Sequence, residues 1–250
     1  VNKVLTFDKL EDYIDNGMYM NAICGPTAGR IDSGVYELNG TVVLSKNGGD
    51  HHLHGGDDSY ARKYFDYEIS DDSVVFSLDT NNSEYPGKQR IQITYKLIES
   101  HLEITFEATS DVDIPMNLTS HIYFNAFEEE SVLENKMRIS SYRRLELIKQ
   151  VPVGPIEDKR FQNMSKIIEL DDPFILEDGN PSIIYQSKNT VLEVDTDYDS
   201  VVVYTQNYAC PEFKGIQKGI CFETQKWPNG INIEGYDAVL KAGQKYKHVT

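Results

Sequence analysis

The sequence predicts an all-β protein, a large antiparallel β-sandwich. Three observations carry this: paired runs of period-two alternation, turn clusters at close spacing, and no long amphipathic helical pattern. Ile91, Ile93, Tyr95 and Leu97 alternate with Gln92, Thr94 and Lys96. After a break at Glu99-Ser100, Leu102, Ile104, Phe106 and Ala108 alternate with Glu103, Thr105 and Glu107. Successive side chains of a strand point to opposite faces, so this pattern reads as two half-buried antiparallel strands. Shorter runs at Val35–Leu38, Val42–Leu44, Val74–Leu78, Val191–Val194 and Val201–Tyr204 have the same character. Turn formers such as Asn39-Gly40, Asn47-Gly-Gly49 and Pro86-Gly87 separate them. One short helix is expected over Asp8–Asp15, where Leu10, Tyr13 and Ile14 share a face at helical spacing. No repeat, low-complexity linker or shift in composition marks a boundary, so residues 1–250 are expected to form a single domain.

Composition narrows the partners. A chain of 250 residues that is 40% hydrophobic can bury a sizeable core. Its net charge of −16 is spread along the whole chain, which disfavours nucleic acid and anionic membranes and suits neutral or cationic ligands. Cys24, Cys210 and Cys221 are odd in number and lack metal-ligand spacing. They read as reduced, mostly buried thiols of a cytoplasmic protein. No apolar stretch approaches the ~20 residues of a membrane span, and no charged-then-apolar leader is seen. The 16 tyrosines suit pleated surfaces and also the binding of sugars.

Three segments hold residues capable of chemistry. In His51-His-Leu-His-Gly-Gly56, strand-like alternation would place His52 and His54 on one face, with two glycines beyond that let backbone or ligand approach closely. His51 and His52 read as structural. A metal site would need further ligands in suitable geometry, and no matching Cys or His cluster exists elsewhere, so none is expected. His121 lies between the polar Asn117-Leu-Thr-Ser120 and the aromatic Ile-Tyr-Phe124, which can fix its tautomer; taken alone, it reads more readily as a core histidine. Glu223 follows the apolar Ile220-Cys-Phe222, where a carboxylate is expensive to bury without a partner or a role. It would be either a base or the partner of a cation such as Lys226. Trp227, the one tryptophan, would either stack on a sugar or plug the core.

Taken in order, these segments resemble the aldose 1-epimerase (galactose mutarotase) family along nearly the whole chain. The likeness runs through Leu5-Thr-Phe-Asp-Lys-Leu-Glu-Asp-Tyr13, Gly25-Pro-Thr-Ala-Gly-Arg-Ile31, His52-Leu-His-Gly-Gly56, Tyr85-Pro-Gly87 and Asn117–Asn125. It continues through Asp171-Asp-Pro-Phe174, Val203-Tyr-Thr205, Glu223–Pro228 and Leu240–Tyr246. The resemblance implies a β-sandwich with a sugar in a cleft across one sheet and no cofactor. It implies that Glu223 takes the proton of the anomeric hydroxyl and that His121 protonates the ring oxygen. His54 would help hold and polarise that oxygen, while Arg30 and Asp171 would bind sugar hydroxyls. The acid and base are expected to face each other across about the width of a pyranose.

Pro26, Gly29 and Val202 depart from the family's usual arginine, asparagine and glutamine, and Ser120 replaces an asparagine beside His121. The sugar preference implied is therefore different from, or broader than, galactose. Family members usually begin several strands before the point where Val1 falls. The expected partner is a small sugar. The readings that compete with an epimerase of free aldohexoses are a carbohydrate-binding protein of the same fold without turnover and a hexose-6-phosphate 1-epimerase. The second would need a basic pocket, which the acidic composition disfavours.

Overall fold

The computed structural model describes residues 2–209 and 215–250. Its regular structure is all β, and the described residues hold no α-helix, only short 3-10 turns such as Leu10–Tyr13 and Tyr60–Arg62. None is long and apolar enough to cross a membrane. The chain divides into two compact units, each assembled from three segments. The first comprises Val1–Ile23, Thr119–Asp195 and Asp199–Trp227, and the second Cys24–Leu118, Thr196–Tyr198 and Pro228–Thr250.

In the second unit, five antiparallel strands lie in the order Tyr246–Val249, His101–Ser110, Lys88–Ile98, Ser73–Asn81, Asp66–Ile69. The alternating hairpin expected from the sequence forms its centre, with Ile93 opposite Phe106 and Leu97 opposite Leu102. Ile91, Ile93, Phe106 and Ala108 are buried, as the period of two requires. A short pair, Arg30–Ile31 against His52–Leu53, lies in the same unit.

The first unit holds a six-stranded antiparallel sheet in the order Tyr123–Asn125, Gly219–Gln225, Ser200–Tyr204, Asp171–Ile175, Arg143–Ile148, Val151–Glu157. A four-stranded sheet accompanies it, with Lys136–Ile139 and Ile183–Gln186 at its centre. Phe174, Val201, Val203, Ile220 and Phe222 from the first sheet pack with Met137, Ile139, Ile183 and Tyr185 from the second in one buried cluster. Each such side chain contributes roughly 1.5–3 kcal/mol by leaving water. Because side chains alternate, Asp171, Val202, Tyr204, Cys221, Glu223 and Gln225 point to the opposite face of the six-stranded sheet. The apolar core thus fixes, residue by residue, which side chains are left to carry chemistry.

Two local expectations are corrected. Asp8–Asp15 makes only a 3-10 turn, because Leu10 and Ile14 are 85% and 71% exposed and no apolar face is buried to offset the cost of helix nucleation. Only Tyr13 of that set packs inward, against the cluster of Phe7, Met20, Tyr123 and Cys221. The strand at His52 stops at Leu53, and His54 adopts left-handed backbone geometry at φ 50°, so His52 and His54 do not share a strand face. Cys24 and Cys221 are buried thiols outside any disulfide, whereas Cys210 lies outside the described residues.

Candidate active site

The first unit brings His121 and Glu223 together through strand register. Tyr123 lies opposite Cys221 in the antiparallel ladder, and carrying that register two residues back along one strand and two forward along the other sets His121 beside Glu223. Backbone bonds pin the histidine: its N–H donates to Ala22 O at 2.9 Å, and its carbonyl accepts from Asn21 N at 3.0 Å. Its Nε2 lies 3.4 Å from Oε1 of Glu223, and both residues are buried. The expected separation of a pyranose width is therefore corrected to direct contact. The two oxygens that exchange protons in an anomer interconversion, the anomeric hydroxyl and the ring oxygen, are bonded to the same carbon. An acid and a base that serve them need to stand only a few ångströms apart.

The surroundings set the proton balance. Burial pushes the His121 imidazole down to about 4, with its own backbone carbonyl pulling more weakly the other way, so the ring is neutral at pH 7. Tyr123 and Tyr204 frame it, with centroid distances of 5.1 and 6.4 Å. On the far side of the ring, Sγ of Cys221 lies 3.5 Å from Nδ1. Asp171 opens its strand directly opposite Tyr204. Tyr204 is held well above its ordinary phenolic range, first by burial and then by the charge of Asp171. Across the sheet, Val202 stands opposite Glu223 and Pro173 opposite Val202, so the carboxylate has apolar neighbours along its row.

The second unit holds Arg30 and His54. The Arg30 strand pairs with the His52 strand, which sets Gly29 beside His54. The His54 N–H donates to Gly29 O at 3.0 Å, and the Gly29 N–H donates to Nδ1 of His54 at 3.2 Å. A ring nitrogen that accepts carries no proton, so neutral His54 has its N–H on Nε2. Gly55 is needed here because a Cβ would fall on the carbonyl oxygen of Gly25, and its φ of 88° favours glycine. A side chain at Gly29 would likewise meet Pro228, so the residue that replaces the family's asparagine presents backbone alone. His52 is structural: Nδ1 meets Ser45 O at 2.9 Å and Nε2 meets the Tyr85 hydroxyl at 2.8 Å. His51 accepts from Ser33 N at 3.1 Å through Nδ1. Trp227 is half-buried.

Of the residues singled out in the sequence, His121, Glu223 and Asp171 thus belong to one unit, and Arg30 and His54 to the other. Cys221, Tyr204 and Gln225 were not assigned roles. Gln225 is fully buried, two residues along the strand from Glu223, and neither of its amide atoms has a hydrogen-bond partner. The sequence signal for Cys221 and Gln225 was their spacing of two from Glu223. The signal for Tyr204 was the register of a neighbouring strand, which local pattern does not reveal.

The all-β fold that carries this face has solved counterparts. The chain superposes on the structure of an aldose epimerase homologue from C. elegans with a TM-score of 0.91 at 21% identity, covering 98% of this chain and 85% of that one, which shows the shared fold. The Aldose 1-epimerase family profile matches residues 1–250, and the chain belongs to that family. It is 28% identical to galactose mutarotase of Sus scrofa over 281 residues, 99% of this chain and 82% of that protein. It is also 28% identical to maltose epimerase of Levilactobacillus brevis over 273 residues, 96% of this chain and 80% of that protein. Relatives at equal distance thus carry the names of different sugars, and membership alone does not set the substrate.

Proposed function

We propose that this chain is an aldose 1-epimerase that interconverts the α and β anomers of a free aldose by opening and closing its ring. The observation that carries this reading is the buried contact between His121 Nε2 and Glu223 Oε1 on the face of the sheet opposite its apolar cluster. Glu223, as carboxylate, takes the proton of the anomeric hydroxyl. Electrons move into a C1–O1 double bond, C1–O5 breaks, and O5 becomes an alkoxide-like oxygen basic enough to take the Nε2 proton of a neutral imidazole. Rotation about C1–C2 and the reverse transfers close the ring from the other face. A neutral histidine can act as such an electrophile, and each well-placed acid or base supplies typically ~10²- to 10⁴-fold. Two proton transfers accompany the breaking and remaking of C1–O5, with no net change of oxidation state.

In this reading Asp171 and Arg30 bind sugar hydroxyls, and His54, with its N–H on Nε2, donates toward the ring oxygen. Val202 beside Glu223 and the bare backbone at Gly29 remove two polar contacts, which fits a substrate other than galactose or a broader set. Polarimetry on purified protein with freshly dissolved α-glucose, α-galactose and maltose tests the proposal. Acceleration with at least one sugar is expected. Uncatalysed rates with all three, despite measurable sugar binding, would instead favour a binding protein that lacks turnover.

A further inference from the structure

Cys221 lies at the opposite end of the His121 ring from Glu223, and the proposed reaction gives it no task. Its sulfur is fully buried among Phe7, Met20 and Tyr123 and stands 3.5 Å from Nδ1. We infer that the Cys221 thiol donates a hydrogen bond to Nδ1 of His121, which keeps the single proton of the neutral ring on Nε2, the nitrogen that faces Glu223. The inference rests on the anomerase reading for its catalytic consequence and for the ionised state of Glu223.

Two observations favour this direction for the bond. Nε2 faces Oε1 of Glu223 at 3.4 Å, and with that carboxyl ionised, as its role as the base requires, a proton on that nitrogen is favoured over a lone pair pointed at negative charge. The apolar packing around Cys221 disfavours a thiolate, so the sulfur meets Nδ1 as an S–H donor. The second unit solves the same problem with backbone, since Gly29 N–H donates to Nδ1 of His54 at 3.2 Å. In both histidines Nδ1 accepts and Nε2 carries the proton.

The consequence is chemical as well as geometric. A donor on Nδ1 withdraws electron density from the ring and makes Nε2–H a stronger acid, the property required of a group that protonates O5. Cys221 is in this account a positioning residue: it acts through His121 and touches no reacting atom.

Long-range ¹H–¹⁵N correlation of the full ¹⁵N-labelled chain at neutral pH reads the tautomer directly, with the His121 signals assigned by their loss in His121→Gln. A protonated Nε2 and a bare, hydrogen-bonded Nδ1 are expected; a proton on Nδ1 would overturn the inference. In Cys221→Val, which fills the space without a donor, kcat should fall about fivefold to tenfold with little change in KM, and the tautomer signals should shift toward a mixture. Cys221→Ser, which restores a donor, should stand above the valine variant in kcat and recover the Nε2–H signature. A valine variant with wild-type tautomer and wild-type kcat would show that the thiol only fills space and would sink the proposal. An Nε2–H tautomer in a chain that accelerates no mutarotation would support the role of Cys221 on the ring while overturning the anomerase reading.

Discussion

The two faces of the six-stranded sheet in the first unit are made by the same strands and have opposite characters. On one, Phe174, Val201, Val203, Ile220 and Phe222 enter a closed apolar cluster. On the other, the residues between them, Asp171, Val202, Tyr204, Cys221 and Glu223, meet the His121 ring and its surroundings. A shift of one residue in register would exchange the two sets. The core face therefore does more than stabilise, because its packing is what holds Glu223 against His121. The difference teaches that stability and activity should respond separately to neighbouring residues in one strand.

The sharpest break in the comparison is expected at His121. His121→Ala removes the acid and should lower the rate of anomer interconversion by ~10²-fold or more, checked by polarimetry at saturating sugar. One step along the neighbouring strand and on the other face, Phe222→Ala should act on stability: loss of a buried ring costs about 3–5 kcal/mol, read from urea unfolding. Activity per folded molecule should change far less than in His121→Ala.

Acid should loosen the chemical face in a predictable direction. The folded imidazole of His121 is lowered from 6.5 to about 4 by burial, so between those values the unfolded chain takes up a proton that the folded chain does not. This contribution is complete above pH 6.5 and is lost as pH falls through the window, by up to about 3 kcal/mol at its lower end. Urea midpoints at about pH 7 and about pH 4.5 should separate more in the wild type than in His121→Gln, which has nothing to titrate there. Equal separations would contradict a buried neutral ring. The smallest expected effect is at Val202, whose replacement by glutamine puts an amide beside Glu223. A single added hydrogen bond corresponds to roughly fivefold, which should appear as a lower KM for some sugars and not others.

Much of this arrangement was legible in the sequence where local pattern decides it. The alternation across Ile91–Ala108 specified a hairpin because each strand is buried on one side, and Val191–Val194 formed with the bounds expected. The helix expected over Asp8–Asp15 failed because a helical spacing of Leu10 and Ile14 means nothing when neither finds a partner. His54 left the strand pattern through a left-handed φ that histidine adopts rarely and that no local motif announces. The contact of His121 with Glu223 joins residues about a hundred positions apart through cross-strand register, so it entered the sequence reading only through family resemblance. The expected pyranose-wide gap was drawn from the size of the substrate instead of from the two geminal oxygens on which the chemistry acts.

The measurement that bears most directly on the acid–base face is the anomer interconversion rate of Glu223→Gln, followed by polarimetry beside Phe222→Leu, which probes the core face from the adjacent position. The glutamine variant should keep its fold and lose at least ~10²-fold in kcat/KM, while the leucine variant keeps most of its activity per folded molecule. Wild-type turnover in Glu223→Gln would contradict the assignment of the base and, with it, the distinction drawn between the two faces.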